Sequence, residues 1–85
     1  MPPMKNDAEK TPHAVAVFAT TSDAMAVQAA FEAGKVPGRM IPIPAQISAG
    51  CGLAWCVPAD QEEELREALA REQLRFEAIH VVDLR

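Results

Sequence analysis

The spacing of hydrophobic residues changes along the first half of the chain, and the change separates two predicted elements. HAVAVFA, from His13 to Ala19, is short, apolar and rich in β-branched and aromatic residues, which is typical of a buried strand. Further along, Ala24, Val27 and Phe31 recur at spacings of three and four, which is the period of a helix. The sequence therefore predicts a buried strand followed by an amphipathic helix.

The ends of this first helix carry their own signals. Thr20, Thr21 or Ser22 can cap the first turn, because a hydroxyl oxygen there accepts a hydrogen bond from a free backbone N–H group. Asp23 suits the positive end of the helix dipole. Gly34 is a common terminator, so we predict that the helix ends close to it.

The second half of the chain predicts three more strands and one more helix. RMIPIP, residues 39–44, alternates like a strand, but its prolines cannot donate ladder hydrogen bonds and so place it at a sheet edge. CGLAWCV, residues 51–57, and FEAIHVVDL, residues 76–84, supply the other two strands. ADQEEELREALAREQ, residues 59–73, has the apolar stripe of a helix.

The start and the surface of this second helix also carry sequence signals. Asp60 and Glu63 match a capping box, in which two side chains satisfy free backbone N–H groups. Glutamate and arginine recur four residues apart in the favourable orientation, each pair contributing about 0.3 kcal/mol on an exposed helix. These pairs are Glu62–Arg66 and Glu67–Arg71. We therefore interpret the acidic run as a helix start and a solvated face.

The order strand, helix, strand, strand, helix, strand predicts an α+β protein of the ferredoxin-like split βαβ type. This βαββαβ arrangement has a four-stranded antiparallel sheet with two helices on one face. Its first and third strands are antiparallel neighbours, so the third strand starts beside the end of the first. Cys51 is therefore expected near Thr20 to Asp23, where the first helix begins.

Length, composition and charge narrow the class of protein. A chain of 85 residues predicts one domain, residues 13–85, after a flexible tail at residues 1–12 that has three prolines and no periodicity. The net charge of −4 and the scattered basic residues argue against binding to nucleic acid. Because no apolar run reaches about 18 residues and no signal-peptide core is present, we expect a cytoplasmic protein.

The stretch ISAGCGLAWC, residues 47–56, carries the clearest chemical signal. Glycines on both sides of Cys51 let the backbone approach closely and adopt conformations open to few other residues. A helix start nearby supplies free N–H groups and roughly half a positive charge, which favour a bound anion. We predict that Cys51 is the nucleophile, because a thiolate attacks sulfur or carbonyl centres. The groups predicted to bind the anion are Thr20, Thr21, Ser22, Ser48, Gly50 and Gly52.

The residues alone leave a packing role for Cys51 open, because free cysteine is among the most buried residue types. Cys56 lies five positions further along the same predicted strand, an odd spacing that turns the two side chains to opposite faces. We therefore predict that Cys56 is a core residue and not a disulfide partner. Trp55 shares the face of Cys51 and is predicted to be a core residue or an interface anchor.

Other candidate catalytic or ligand-binding residues are sparse. His13 opens the first strand, at the sheet end away from Cys51, and His80 lies in the middle of the last strand, so both are interpreted as structural or exposed. The sequence has no paired zinc ligands and no phosphate loop, and therefore predicts no cofactor and no metal site. A thiolate metal site completed by a second subunit stays open as a further reading of Cys51.

The segment from Phe18 to Trp55 resembles a family of small proteins described as putative Se/S carrier protein-like. The family pattern joins an aliphatic strand, a Ser/Thr-rich turn into a helix, a Pro-x-Pro loop and a Ser-x-x-Cys-Gly motif before an apolar strand. The matching positions here are Thr20 to Ala24, Pro42, Pro44, Ser48, Cys51 and Gly52. The chain departs from the pattern at Ala45, where members often have arginine, and at Gln28, where they often have an acidic residue.

The resemblance implies that Cys51 carries sulfur or selenium as a persulfide or selenyl sulfide. The implied partners are a cysteine desulfurase and an acceptor such as a selenophosphate-forming enzyme, so the chain would be a carrier or sulfurtransferase-like accessory protein. The residues alone leave an alternative: a noncatalytic interaction module whose open sheet face or edge binds a partner, with Cys51 structural. A homodimer is compatible with both hypotheses, because two helices leave one sheet face uncovered.

Overall fold

The computed structural model describes residues 11–47 and 51–84, which form four strands and two α-helices. In chain order these are β1 (Thr11–Val17), α1 (Thr21–Glu32), β2 (Arg39–Pro42), β3 (Leu53–Pro58), α2 (Glu62–Arg71) and β4 (Ala78–Leu84). The strands lie in the order β2-β3-β1-β4, and every neighbouring pair is antiparallel. The α+β class, the βαββαβ order and the edge position of β2 are therefore confirmed. No helix in the described ranges combines the length and the apolar character that crossing a bilayer requires.

Both helices pack against the same face of the sheet. The main core combines alternate residues of β1 and β3 with the apolar stripes of α1 and α2. Its members on these four elements are Ala14, Ala16, Trp55, Val57, Ala24, Val27, Leu65, Ala68 and Leu69. Side chains of a strand alternate between the two faces, so one set of alternate positions faces the helices and the other faces away from them.

The face without helices has a smaller core of its own. Val15, Val17 and Ala54 are buried there and pack with Ile47, which lies in the connection between β2 and β3. This connection therefore contributes a side chain that covers the centre of the face. The β4 edge of this face is less covered, because the β4 side chains Ala78, Val82 and Leu84 that pack against this smaller core are only partly buried.

The start and the end of α1 agree with the sequence signals. Thr20 is the N-cap residue: its backbone is extended and its hydroxyl oxygen accepts a hydrogen bond from the Asp23 N–H group at 3.1 Å. Gly34 follows the helix with φ +78°, and its N–H group donates to the Phe31 carbonyl oxygen. A residue with positive φ commonly ends a helix in this way, so the predicted terminator is confirmed.

The capping box predicted for the second helix is wrong. Ala59–Gln61 form a single 3₁₀ turn before α2, and the N-cap residue of α2 is Gln61, whose side chain makes no capping hydrogen bond. The 3₁₀ turn takes up Asp60 and moves the helix start beyond it, so Asp60 and Glu63 do not occupy the two ends of a capping box.

One of the two predicted ion pairs on α2 forms. The Nε group of Arg66 lies 2.9 Å from Glu62 Oε2, four residues earlier. Arg71 turns elsewhere: its Nε group contacts Glu72 at 3.2 Å, and its Nη2 group donates to the Lys35 carbonyl oxygen at 2.8 Å. The second arginine therefore links the end of α2 to the residues that follow α1.

The first strand begins two residues earlier than predicted. Thr11 and Pro12, assigned from sequence to the tail, pair with Leu84 and Asp83 of β4. A proline cannot donate a backbone hydrogen bond to a neighbouring strand. Pro12 is tolerated because the pairing of β1 with β3 begins only at His13, so no β3 residue lies opposite Pro12 to accept such a bond. The remainder of the predicted tail, residues 1–10, lies outside the described residues.

Candidate functional site

Cys51 lies just before β3, at the end of the sheet where α1 begins. The register of β1 with β3 places Val17 opposite Ala54. Cys51 precedes β3 by two residues, and Thr20, the N-cap residue of α1, follows β1 by three, so both lie beyond this pair at the same end of the sheet. The topology thus puts the thiol at the same end of the sheet as the helix start, as the sequence predicts.

The Cys51 side chain is half-buried and packs against the main core. Its Sγ group donates a weak hydrogen bond to the Leu53 carbonyl oxygen at 3.4 Å. A thiolate has no proton to donate to this carbonyl oxygen, so ionisation of Cys51 would remove this hydrogen bond. The side chain has the apolar core on one side and is partly exposed on the other.

Gly52 gives the chain its turn into β3. Its φ of +78° is unfavourable for side chains with a Cβ atom, although no atom lies within 4 Å of the space that a Cβ would occupy. Its carbonyl oxygen accepts a hydrogen bond from the Ile43 N–H group at 3.0 Å, which extends the pairing between β2 and β3. The glycine is therefore required for backbone conformation, while its predicted contact with an anion stays a prediction.

The residues predicted to bind an anion differ in whether their side chains are already engaged in hydrogen bonds. Thr20 uses its hydroxyl oxygen to cap α1, whereas Thr21 and Ser22 are exposed in the first turn of that helix. Ser48 and Gly50 lie outside the described residues. Their roles in binding an anion remain predictions from sequence.

Cys56 has the opposite environment from Cys51. It is 2% exposed, and its strand partners are Val15 on β1 and Arg39 on β2. Burial raises the pKa of the Cys56 thiol, and the positive charge of Arg39 offsets part of this rise. The prediction of a buried core cysteine is confirmed, and both cysteines are free thiols.

The two thiols are expected to react with iodoacetamide at very different rates in the folded protein. Cys51 should react much faster than Cys56, because the Cys56 side chain is 2% exposed, burial raises its pKa, and only the thiolate is reactive. Peptide mapping by mass spectrometry at increasing times gives both rates in one sample. In denaturant the two rates should converge; equal rates in native buffer would contradict the assignment.

His13, His80 and Trp55 are not placed to act together with Cys51 as catalytic groups. His13 pairs with Pro58 at the other end of the sheet, and its Nδ1 atom lies 2.9 Å from the Thr11 carbonyl oxygen. His80 is exposed in the middle of β4, and Trp55 is a buried core residue. Within residues 11–47 and 51–84, no three His, Cys, Asp or Glu side chains are grouped as metal ligands would be.

A cleft near the start of α1 was not anticipated from the sequence. Its volume is about 380 Å³, and its lining residues are Ala19, Asp23, Leu74, Arg75, Phe76 and Glu77. The cleft lies between the first turn of α1 and the segment before β4, so it opens on the β4 side of β1, whereas Cys51 lies on the β3 side. The sequence feature that could have indicated the cleft is the apolar, basic, apolar order of residues 74–76, just before β4. Our predicted strand, residues 76–84, included the last of these residues.

The comparisons with known proteins give one match. No curated protein and no solved structure matches the chain. The sequence profile of a family described as "Putative Se/S carrier protein-like" matches residues 13–81, which run from β1 into β4 and include Cys51. Because this match covers most of the 85 residues, the chain belongs to the Putative Se/S carrier protein-like family.

Proposed function

We propose that this protein carries sulfur or selenium on Cys51 between a donor protein and an acceptor protein. The observation that carries the proposal is a free, half-buried thiol at the helix-start end of the sheet, in a chain of the Se/S carrier-like family. Cys56 does not offer the same chemistry, because its sulfur is buried and its pKa is raised.

Loading is a sulfur transfer without net oxidation. The Cys51 thiolate attacks the outer sulfur of a donor persulfide, and a new S–S bond forms while the donor's own S–S bond breaks. The electron pair of the broken bond stays with the donor, which leaves as a thiolate. Cys51 then holds a persulfide anion; a donor selenyl sulfide gives the corresponding selenium species by the same displacement.

Delivery repeats the displacement with a different nucleophile. A thiolate or another soft nucleophile of the acceptor attacks the outer sulfur or selenium, and the Cys51 thiolate is the leaving group. The chain therefore returns to its starting state and needs no resident cofactor. A cysteine desulfurase fits the role of donor, and a selenophosphate-forming enzyme or another sulfur acceptor fits the role of acceptor.

The start of α1 supplies the electrostatic part of the proposal. The outer atom of a persulfide or selenyl sulfide is anionic, and the free N–H groups of a helix start favour an anion. Thr21 and Ser22 are exposed in this first turn, at the end of the sheet where Cys51 also lies. Their hydroxyl and amide groups are our candidates for contact with the loaded sulfur.

The proposal predicts that Cys51 gains one sulfur atom from a desulfurase. The full chain is incubated with a cysteine desulfurase and cysteine, and peptide mass spectrometry locates the added mass. Cys51→Ser should lose the modification completely, whereas Cys56→Ala should retain it, because it removes one buried sulfur on the other face. A wild-type chain that gains no sulfur from the desulfurase or from a small-molecule persulfide would contradict the proposal.

The interaction-module hypothesis gives a different result in the same experiments. It is favoured by the contact of Cys51 with the core and with the Leu53 carbonyl oxygen, since both are compatible with a structural thiol. Under this hypothesis Cys51→Ser leaves partner binding unchanged and sulfur loading is absent from the wild type. Loading of Cys51 followed by transfer to an acceptor would exclude it.

A further inference from the structure

The two edge strands of the sheet are protected to different degrees. β2 has four residues and carries both a charge, Arg39, and a proline, Pro42, which cannot donate a ladder hydrogen bond. β4 has seven residues, AIHVVDL, without proline, lysine or arginine. Within residues 11–47 and 51–84, β1 is the strand that pairs with β4, so the outer row of β4 backbone groups faces no other described strand.

The exposed apolar surface of β4 is unusual for this molecule. Among the residues that the structure describes, Val81 is the most exposed large hydrophobic residue at 56%, followed by Met25 at 50% and Phe31 at 41%. Phe31 makes an edge-on contact with Trp55, which gives that side chain a role inside the chain. A long edge strand with an exposed β-branched residue at its centre is a template for pairing with another strand.

We propose that β4 pairs antiparallel with β4 of a second copy of this chain, which joins two four-stranded sheets into one sheet of eight strands. A two-fold axis perpendicular to the sheet keeps the helix-covered faces of both copies on the same side. Centred on Val81, this axis brings all seven residues of each strand into pairing. The opposed pairs are Val81 with Val81, His80 with Val82, Ile79 with Asp83, and Ala78 with Leu84.

The sequence of β4 favours a second copy as the occupant of this edge, because a two-fold axis pairs the exposed Val81 with itself and opposes no like charges. The chain carries a net charge of −4, but β4 holds a single carboxylate, Asp83. In the register centred on Val81, each Asp83 lies opposite Ile79, so no like charges are directly opposed across the new pair. The strand is therefore complementary to itself in spite of the acidity of the whole chain.

The pairing leaves both Cys51 sites free. Ala78, the first residue of β4, pairs with Val17 at the Cys51 end of the sheet. Because the two copies of β4 run antiparallel, the two thiols come to opposite ends of the joined sheet. The inference stands independently of what Cys51 does, since none of the paired residues belongs to the candidate site.

Sedimentation of the full chain tests the proposal. The wild type should shift with rising concentration from a 9.2 kDa monomer to a species of about twice that mass. Val81→Lys should weaken dimerisation at least about tenfold, because it places two like charges opposite each other, a change of about 1.4 kcal/mol or more. Met25→Lys is the matched control: it adds the same charge at a similarly exposed hydrophobic position on α1 and should leave dimerisation unchanged.

A disulfide cross-link tests the register. Opposed Cα atoms of an antiparallel pair lie about 4.5–5.5 Å apart, within the range that a disulfide bridges. Val81→Cys in a Cys51→Ser background should therefore cross-link to a covalent dimer on mild oxidation, and Met25→Cys in the same background should not. A wild type that stays monomeric, a Val81→Lys variant that dimerises like the wild type, or a dimer that Val81→Cys does not cross-link would each overturn the proposal.

Discussion

Replacement of Gly38 by alanine is expected to remove a large fraction of the stability of the fold. Gly38 has φ +109°, and a Cβ atom there would lie 2.5 Å from Trp55 Nε1, 2.6 Å from the Cys56 carbonyl oxygen and 2.8 Å from Val57 Cγ1. The unfavourable φ costs about 1–3 kcal/mol, and forcing an extra atom into a packed core costs about as much again. For a chain of 85 residues the total stability is about 4–13 kcal/mol, so the loss is a large fraction of it.

Two other glycines of the chain provide matched controls for Gly38. Gly34 and Gly52 each have φ +78°, but no atom lies within 4 Å of the position that a Cβ would take. Gly34→Ala and Gly52→Ala should therefore show the backbone effect alone, about 1 kcal/mol each. Urea unfolding followed by far-UV circular dichroism gives the free energy of unfolding of all three variants. If Gly38→Ala is no less stable than the two controls, the packing against Trp55 is not as tight as the structure indicates.

Replacement of Trp55 by alanine should produce a loss of similar size. The side chain is fully buried in the main core, and its Nε1 group donates a hydrogen bond to the Pro37 carbonyl oxygen at 2.7 Å. Loss of a buried aromatic side chain to alanine costs about 3–5 kcal/mol. Far-UV circular dichroism again has to be used, because the variant lacks the one tryptophan of the chain.

Two further variants separate the contributions of Trp55. Trp55→Phe keeps an aromatic ring but removes the donor to Pro37, so it should cost about 1–3 kcal/mol. Phe31→Ala removes the ring that meets Trp55 edge-on, with centroids 5.5 Å apart, and should cost about 1 kcal/mol because Phe31 is 41% exposed. A Trp55→Phe variant as stable as the wild type would show that the bond to Pro37 contributes little.

The parts of the fold that could be predicted are those set by local periodicity. The short apolar runs of β1 and β3 and the helical spacing of α1 and α2 follow from which residues must be buried, and they determined the element order. The parity of β3 also predicted that Cys56 lies on the face opposite Cys51. These predictions need only the sequence because they depend on neighbours within one element.

The parts that could not be predicted depend on contacts between distant segments. Gly38 is required by Trp55 and its neighbours in β3, which are far from it in sequence. Ile47 covers the helix-free face because the connection between β2 and β3 folds back onto β1, and no periodic pattern marks such a connection. The 3₁₀ turn at Ala59–Gln61 is likewise too short to have a period of its own.

For the candidate site, topology was predictable and side-chain detail was not. The adjacency of β1 and β3 placed Cys51 at the end of the sheet where α1 begins. The hydrogen bond from Cys51 to the Leu53 carbonyl oxygen depends on the turn at Gly52, whose conformation the sequence suggests but does not specify. The cleft before β4 depends on how α1 meets residues 74–77, and the apolar, basic, apolar order of residues 74–76 does not by itself specify that contact.

Under the proposed carrier function, the separation of the two cysteines by the sheet determines how a loaded sulfur would be discharged. In many thiol relays a second, resolving cysteine attacks the loaded one and closes an internal disulfide. Here Cys51 packs on the helix side, whereas Cys56 is enclosed on the other side of the same backbone. The barrier between them is β3 itself, so a sulfur carried on Cys51 as we propose would be out of reach of Cys56 and would leave by reaction with another molecule.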